Sequence, residues 1–308
     1  MRVLVTGASG FLGRRFLELA DPSWEILAVW RSSEDFPAFA TALGKPGITT
    51  VRCDLASPDA IMALVQRHGA HFDSVLHLAA NGDPLRSTAD PVLDLRDTLV
   101  VALHVLTYFT AGRLVLVSSG AVYEGQSGPV APSTPCDPVL PYAVTHLAAE
   151  RYARWACLTR RFSAVAVLRF FGAYGPHEPN RKIYSRLCRA FGIEGRSTFT
   201  IRGDGTNLID AMFVDDAVRA LQAALVGPAH AGTWDLASGT PLTLSELVRK
   251  AARIFAIPHL TLLYDGTTVE SHRFTASPAA FARDFGVTPA TTLDEGLPVL
   301  LAWLSRKP

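Results

Sequence analysis

The sequence predicts an α/β fold: a doubly wound parallel sheet with a smaller module on its C-terminal side. Three observations carry this prediction. Short apolar, β-branched runs alternate with longer helical stretches as far as Arg169. A glycine-rich turn joins the first run to the first helical stretch. The rhythm then breaks after Arg169, where Gly, Pro and polar residues thicken.

The strand runs fall at Arg2–Thr6, Glu25–Trp30, Ile48–Arg52, Ser74–Leu78, Arg113–Ser118 and Ala164–Arg169. Most are continuously apolar, as expected of strands covered on both faces. Helical stretches lie between them at Phe11–Ala20, Pro58–His68, Pro91–Phe109 and Tyr142–Arg160. Such alternation implies right-handed crossovers that place helices on both sides of the sheet. Pro132–Pro141 is a Pro-rich loop, readable as a mobile cover or as a plain connection. Beyond Arg169, loop-forming residues gather at Gly172–Asn180 and Arg202–Thr206. Two further helices are expected near Thr243–Phe255 and Leu293–Leu304.

Composition narrows the function classes. The chain has 308 residues, 49% hydrophobic and 19% charged, enough for a sizeable core and too apolar for a disordered chain. Lys and Arg number 29 against 28 Asp and Glu, so no polybasic footprint points to nucleic acid. No apolar run reaches the roughly 20 residues of a spanning helix, so no membrane partner is expected. Cys53, Cys136, Cys157 and Cys188 are scattered, with no CxxC pair or zinc spacing, and no metal site is expected. The opening strand-like run and the absence of a glycosylation sequon fit a reducing, cytoplasmic setting.

The strongest local signal is Thr6-Gly7-Ala8-Ser9-Gly10-Phe11-Leu12-Gly13, between a strand and a helix. Gly7 permits the tight turn, Gly10 admits a pyrophosphate close to the backbone, and Gly13 lets helix and strand pack closely. The helix N-terminus offers free N–H groups to phosphate. This is a dinucleotide-binding, Rossmann-type signature. Residues 1–171 are accordingly read as the dinucleotide-binding domain. Residues 172–308 are read mainly as a substrate-binding module, with some segments returning to the first domain. The end of the second strand reads Trp30-Arg31-Ser32-Ser33, with no carboxylate before Glu34. Arg31 with Ser32 suits a 2′-phosphate, so NADP is favoured over NAD. Asp54 and Leu55 follow the third strand, where the adenine is expected.

These residues resemble the extended short-chain dehydrogenase/reductases of the NAD-dependent epimerase/dehydratase type, over essentially the whole chain. Val75-Leu76-His77-Leu78-Ala79-Ala80 is similar to the family's strand beside the cofactor. Val117-Ser118-Ser119-Gly120-Ala121-Val122-Tyr123 is similar to the strand bearing its catalytic Ser/Thr. Tyr142-Ala143-Val144-Thr145-His146 stands at its YxxxK. Arg169–Pro176, Gly203-Asp204-Gly205 and Phe213–Asp216 match further segments. The resemblance implies that Tyr142 moves a proton while Ser119 holds the same oxygen, with Ser118 the neighbouring alternative. It also implies a homodimer built on the helices Pro91–Phe109 and Tyr142–Arg160. Without the resemblance, a packed tyrosine and a capping serine are the simpler readings.

Four departures stand out. His146 replaces a lysine that binds the nicotinamide ribose and lowers the tyrosine pKa. It leaves three readings: a modified working pair, a weak enzyme with a higher pH optimum, or a binding protein without catalysis. Gly172 replaces an asparagine, and Ile209 replaces an arginine ahead of Asp210, removing donors for a nucleotide diphosphate. Arg169, Arg181, Arg202 and Arg273 are the available compensations, with Gly172, Arg202 and Arg273 placed at the substrate. Asp97 stands where relatives carry an asparagine that fixes the active-site backbone.

The expected function is NAD(P)-dependent redox chemistry on a hydroxyl or keto carbon of a sugar, a nucleotide sugar foremost, with ketone reduction favoured. The alternatives are an epimerase or dehydratase that retains its cofactor, and a non-catalytic NAD(P)-binding sensor or scaffold.

Overall fold

The computed structural model describes residues 1–266 and 273–306. Its centre is a seven-stranded, wholly parallel sheet. The strands are β1 (Arg2–Thr6), β2 (Glu25–Trp30), β3 (Ile48–Arg52), β4 (His71–His77), β5 (Thr110–Ser119), β6 (Phe162–Phe170) and β7 (Gly232–Leu236). Their order across the sheet is β7-β6-β5-β4-β1-β2-β3. Strand succession reverses beside β1, and in such sheets ligands settle at the strand ends at that reversal.

Alternate residues of each strand feed opposite faces. Val3 and Val5 join Phe16, Leu17, Val218 and Leu221 beneath the helices Phe11–Leu19 and Val214–Val226. Leu4, Val75 and Leu114 join Ile61, Val105, Ala149 and Ala153 on the other face. That face is covered by Pro58–His68, Val101–Tyr108 and Pro141–Leu158. With both faces covered, Val3, Leu4 and Val5 are fully buried, which is why these strands read as unbroken apolar runs. A separate aromatic-rich core joins Tyr174, Tyr184, Phe191, Phe199 and Phe213 to Leu247, Leu297 and Leu300 in the C-terminal half.

Several expected elements differ in extent. The stretch Pro91–Phe109 is not one regular helix. It runs Pro91–Leu95, then a wide π-type turn at Arg96–Val100, then Val101–Tyr108. A helix at Phe36–Ala42 and strand β7 were not expected. β7 is short, starts at a glycine and carries Asp235, so it lacks an apolar signature. It pairs with β6 from Gly232↔Ala166 to Leu236↔Phe170. Segment Ala131–Leu140 is tied down at its end, where Glu124 accepts the Val139 and Leu140 N–H groups at 2.8 and 2.7 Å. Among the described residues no helix is long and apolar enough to cross a membrane.

Candidate active site

The glycine loop lies over the C-terminal ends of β1 and β4. Gly7 has φ +67°, and a Cβ there would stand 2.7 Å from the Ala79 amide nitrogen. A Cβ on Gly13 would stand 2.5 Å from the Gly7 carbonyl oxygen. Both positions therefore require glycine. Gly10 caps the helix Phe11–Leu19 with no side-chain acceptor, leaving its first N–H groups open. The loop is thus a cradle that closes if a side chain is added, and it fits a pyrophosphate.

Two adjoining hollows share Gly7, Gly10, Leu78 and Ala80. The first is lined also by Ser9, Arg31, Ser32, Asp54, Leu55 and Ala79, all expected at the cofactor. The second is lined by Phe11, Leu12, Gly13, Ser119, Tyr142 and His146. The chain thus brings its cofactor signature and its Ser–Tyr–His set into one groove.

Ser119 ends β5. Its Oγ accepts the Ala121 N–H at 3.1 Å, which fixes it at the start of the 3-10 turn Gly120–Tyr123. Ser119 also acts on the Tyr142 phenol, drawing its pKa down. Ser118 points the other way, donating to Glu150 at 2.6 Å, where Arg169 closes a buried ion pair at 2.8 Å. Strand alternation turns the Ser118 hydroxyl to Glu150, although the residue itself also lines the groove. Alternation also makes Arg169 a framework residue rather than a substrate contact.

Tyr142 and His146 lie on successive turns of Pro141–Leu158, ring centroids 4.5 Å apart. Burial pushes the Tyr142 phenol above its usual pKa of 10. Ser119 offsets part of this, and the Asp94 and Asp83 carboxylates add to it. Burial also holds His146 down at about 4, against the opposing pull of Asp94 and the Asn81 backbone. His146 is therefore neutral at pH 7, and its buried Nε2 has no hydrogen-bond partner among the described residues. His146 lines the groove that the cradle opens, and an unpartnered ring nitrogen there suits a ribose hydroxyl.

The backbone-fixing role expected of Asp97 falls to Asp94. Asp94 accepts from Asn81 Nδ2 at 2.8 Å and Thr145 Oγ1 at 2.7 Å, tying the segment after β4 to the active-site helix. Asp97 lies one helical turn further on and lines the first hollow, bound by arginines. His77 packs, bonded to Thr6 Oγ1 at 2.8 Å.

Gly172, Arg202 and Arg273 are not among the residues lining the groove. Gly172 serves the backbone: its φ is +122° and its carbonyl accepts the Met212 N–H at 3.1 Å. Arg202 is exposed beyond the strand Thr198–Ile201. Arg273 is exposed at the start of a strand paired with Ser127–Val130, its charge felt by Asp204. The cations at the groove are instead Arg181 and Lys182, with Asn81 and Gly82 on the same wall. Lys182 and Asn81 were not foreseen, since irregular loops carry no periodic signal.

The profile of the NAD dependent epimerase/dehydratase family matches residues 3–235, and the chain belongs to that family. It is an enzyme of the short-chain dehydrogenase/reductase class, as the groove indicates. A 2-alkyl-3-oxoalkanoate reductase of Stenotrophomonas maltophilia (strain K279a) is 28% identical, covering 96% of this chain and 97% of that one. A dTDP-glucose 4,6-dehydratase of Actinoplanes sp. (strain ATCC 31044 / CBS 674.73 / SE50/110) is 27% identical, covering 98% and 97%. The solved structure of MoeE5 in complex with UDP-glucose and NAD is 29% identical, with a TM-score of 0.84 over 99% of both chains.

Proposed function

We propose that this protein is an NAD(P)-dependent oxidoreductase acting on a hydroxyl or keto carbon of a nucleotide-linked sugar, with NADP preferred. The observation that carries the reading is the shared groove: Ser119, Tyr142 and His146 line it together with the glycine cradle. A nicotinamide, when bound, supplies or accepts the hydride. Ser119 Oγ holds the substrate oxygen. The Tyr142 hydroxyl, which lines the same groove as Ser119, passes the proton to or from that oxygen. Neutral His146 offers Nε2 to a ribose hydroxyl. Arg181 and Lys182 line the same groove and offer a diphosphate two cations.

The raised Tyr142 pKa favours the protonated phenol, the form that can donate a proton to a ketone oxygen. This supports ketone reduction with release of oxidised cofactor. An epimerase or dehydratase with retained cofactor is the second reading, supported by the dTDP-glucose dehydratase and the UDP-glucose-bound relative. Cofactor consumption separates the two. Reduction uses one NADPH per product, whereas the second reading converts UDP- or dTDP-sugars without net consumption. Cofactor binding with no turnover of either substrate type would return the reading to a non-catalytic sensor. Calorimetric titration with NADP and NAD comes first, and tighter binding of NAD than of NADP overturns the stated preference.

A homodimer is part of the proposal. Val144, Tyr152, Trp155 and Leu158 lie exposed along one helix, with Val92 and Leu95 exposed on the neighbouring segment. Apolar side chains at such helical spacing suit a partner helix pair.

A further inference from the structure

Three arginines converge on one buried carboxylate at the edge of the first hollow. Asp97, 5% exposed, is gripped by both Nη atoms of Arg31 at 2.6 and 3.0 Å. Arg96 Nη1 bonds it at 2.9 Å and Arg86 Nη2 lies 3.7 Å away. Arg96 also reaches Asp54, a second carboxylate lining the hollow. The three guanidinium groups come from three places: the end of β2, the helix Pro84–Ala89 and the π-type turn. Burial works against an ionised Asp97, but the three arginines together outweigh it and hold the carboxyl below its usual range. The arginine side chains remain between 40% and 47% exposed. They are free to turn towards another anion; Asp97 is not.

Arg31 is thus the residue that suits a 2′-phosphate, and it already holds an anion. We propose that Asp97 sets the discrimination between NADP and NAD by competing with the 2′-phosphate for Arg31, while Arg96 relieves that competition. The inference rests on the dinucleotide reading above. When a 2′-phosphate arrives, Arg31 exchanges one anion for another. Asp97 keeps Arg96 and Arg86, so no buried charge is stranded. The 2′-hydroxyl of NAD makes no such demand and leaves the Arg31–Asp97 pair closed. Asp97 therefore lowers the NADP preference that Arg31 alone would confer.

The test is calorimetric titration of the full chain with NADP, NAD, adenosine 2′,5′-bisphosphate and ADP. Asp97→Asn should tighten NADP and the 2′,5′-bisphosphate about tenfold, because one negative charge leaves the phosphate's neighbourhood. NAD and ADP should change less than about threefold, since they carry no 2′-phosphate. Arg96→Ala should act in the opposite sense, weakening only the 2′-phosphorylated ligands as Asp97 leans harder on Arg31. An NADP-to-NAD ratio unchanged in both variants, or moved in the same direction by both, overturns the proposal and leaves the cofactor reading intact. Should Asp97→Asn not fold, Arg96→Ala decides alone: selective loss of 2′-phosphorylated ligands supports it and equal loss overturns it. Failure of the unaltered protein to bind either dinucleotide overturns the cofactor reading, and this inference with it.

Discussion

Tyr142 and His146 face one another on successive turns of one helix, ring centroids 4.5 Å apart and planes inclined at 60°. His146 is buried and Tyr142 partly so, which favours the neutral form of both, raising the pKa of the phenol and lowering that of the imidazole. A lysine one turn from the tyrosine would supply positive charge and favour phenolate. Here the nearest charged influences on Tyr142 are the Asp94 and Asp83 carboxylates. The pair is therefore arranged around a protonated tyrosine.

Removing the phenol should stop proton transfer and little else. Tyr142→Phe should cut kcat by about 10²- to 10⁴-fold, the usual worth of a positioned acid–base group, with cofactor affinity within a few-fold of the original. Steady-state rates beside a cofactor titration check this. A rate within about threefold of the original would remove Tyr142 from the chemistry.

Restoring the lysine tests the meaning of His146. In His146→Lys an ammonium beside the phenol should lower the tyrosine pKa by about one unit or more. The basic limb of the kcat/KM profile should move to lower pH by a similar amount. An unmoved profile would show that the histidine is not what holds the phenol protonated.

The helix bearing Tyr142 is fastened to the sheet through Glu150. Its carboxylate takes Arg169 of β6 at 2.8 Å and Ser118 of β5 at 2.6 Å, all three groups buried. Glu150→Ala should strand the Arg169 charge and cost about 3–5 kcal/mol of stability, read by urea denaturation. The double variant Glu150→Met with Arg169→Met should cost clearly less than Glu150→Ala alone, because no buried charge is left unpaired.

Glu178 introduces a pH dependence of stability. Its Oε2 accepts from the Ser185 N–H at 2.7 Å and hydroxyl at 2.6 Å, while Oε1 is buried without a partner among the described residues. Burial raises its pKa to about 7, against the partial offset from Ser185 and Lys182. A carboxyl raised in the folded state stabilises fully below its unfolded pKa, and that stability is lost as pH rises through 7. Glu178→Gln should therefore gain on the unaltered protein between pH 5 and 8, by up to roughly 3 kcal/mol. Denaturation midpoints of both proteins at the two pH values measure it. A constant difference between them would mean that Glu178 does not titrate in this range.

What the sequence determined alone is the material encoded locally. Short apolar runs located the first six sheet strands, the spacing Gly7, Gly10, Gly13 located the cradle, and the family resemblance of their segments pointed to Ser119 and Tyr142. Each depends on residues a few positions apart, where backbone geometry ties sequence to conformation. The tertiary structure alone decided which side chains answer one another. Arg31 meets Asp97 across 66 positions, because the parallel sheet brings the end of β2 beside the helical segment that follows β4. Asp94, not Asp97, ties Asn81 to Thr145, since three positions further along the helical segment the carboxylate meets the arginines instead. β7 exists because β6 offers a free edge to a segment with little apolar character of its own. Lys182 reaches the groove through an irregular loop that no period describes. Local pattern determines elements, whereas partnership between charges depends on distances that only packing of the whole chain sets.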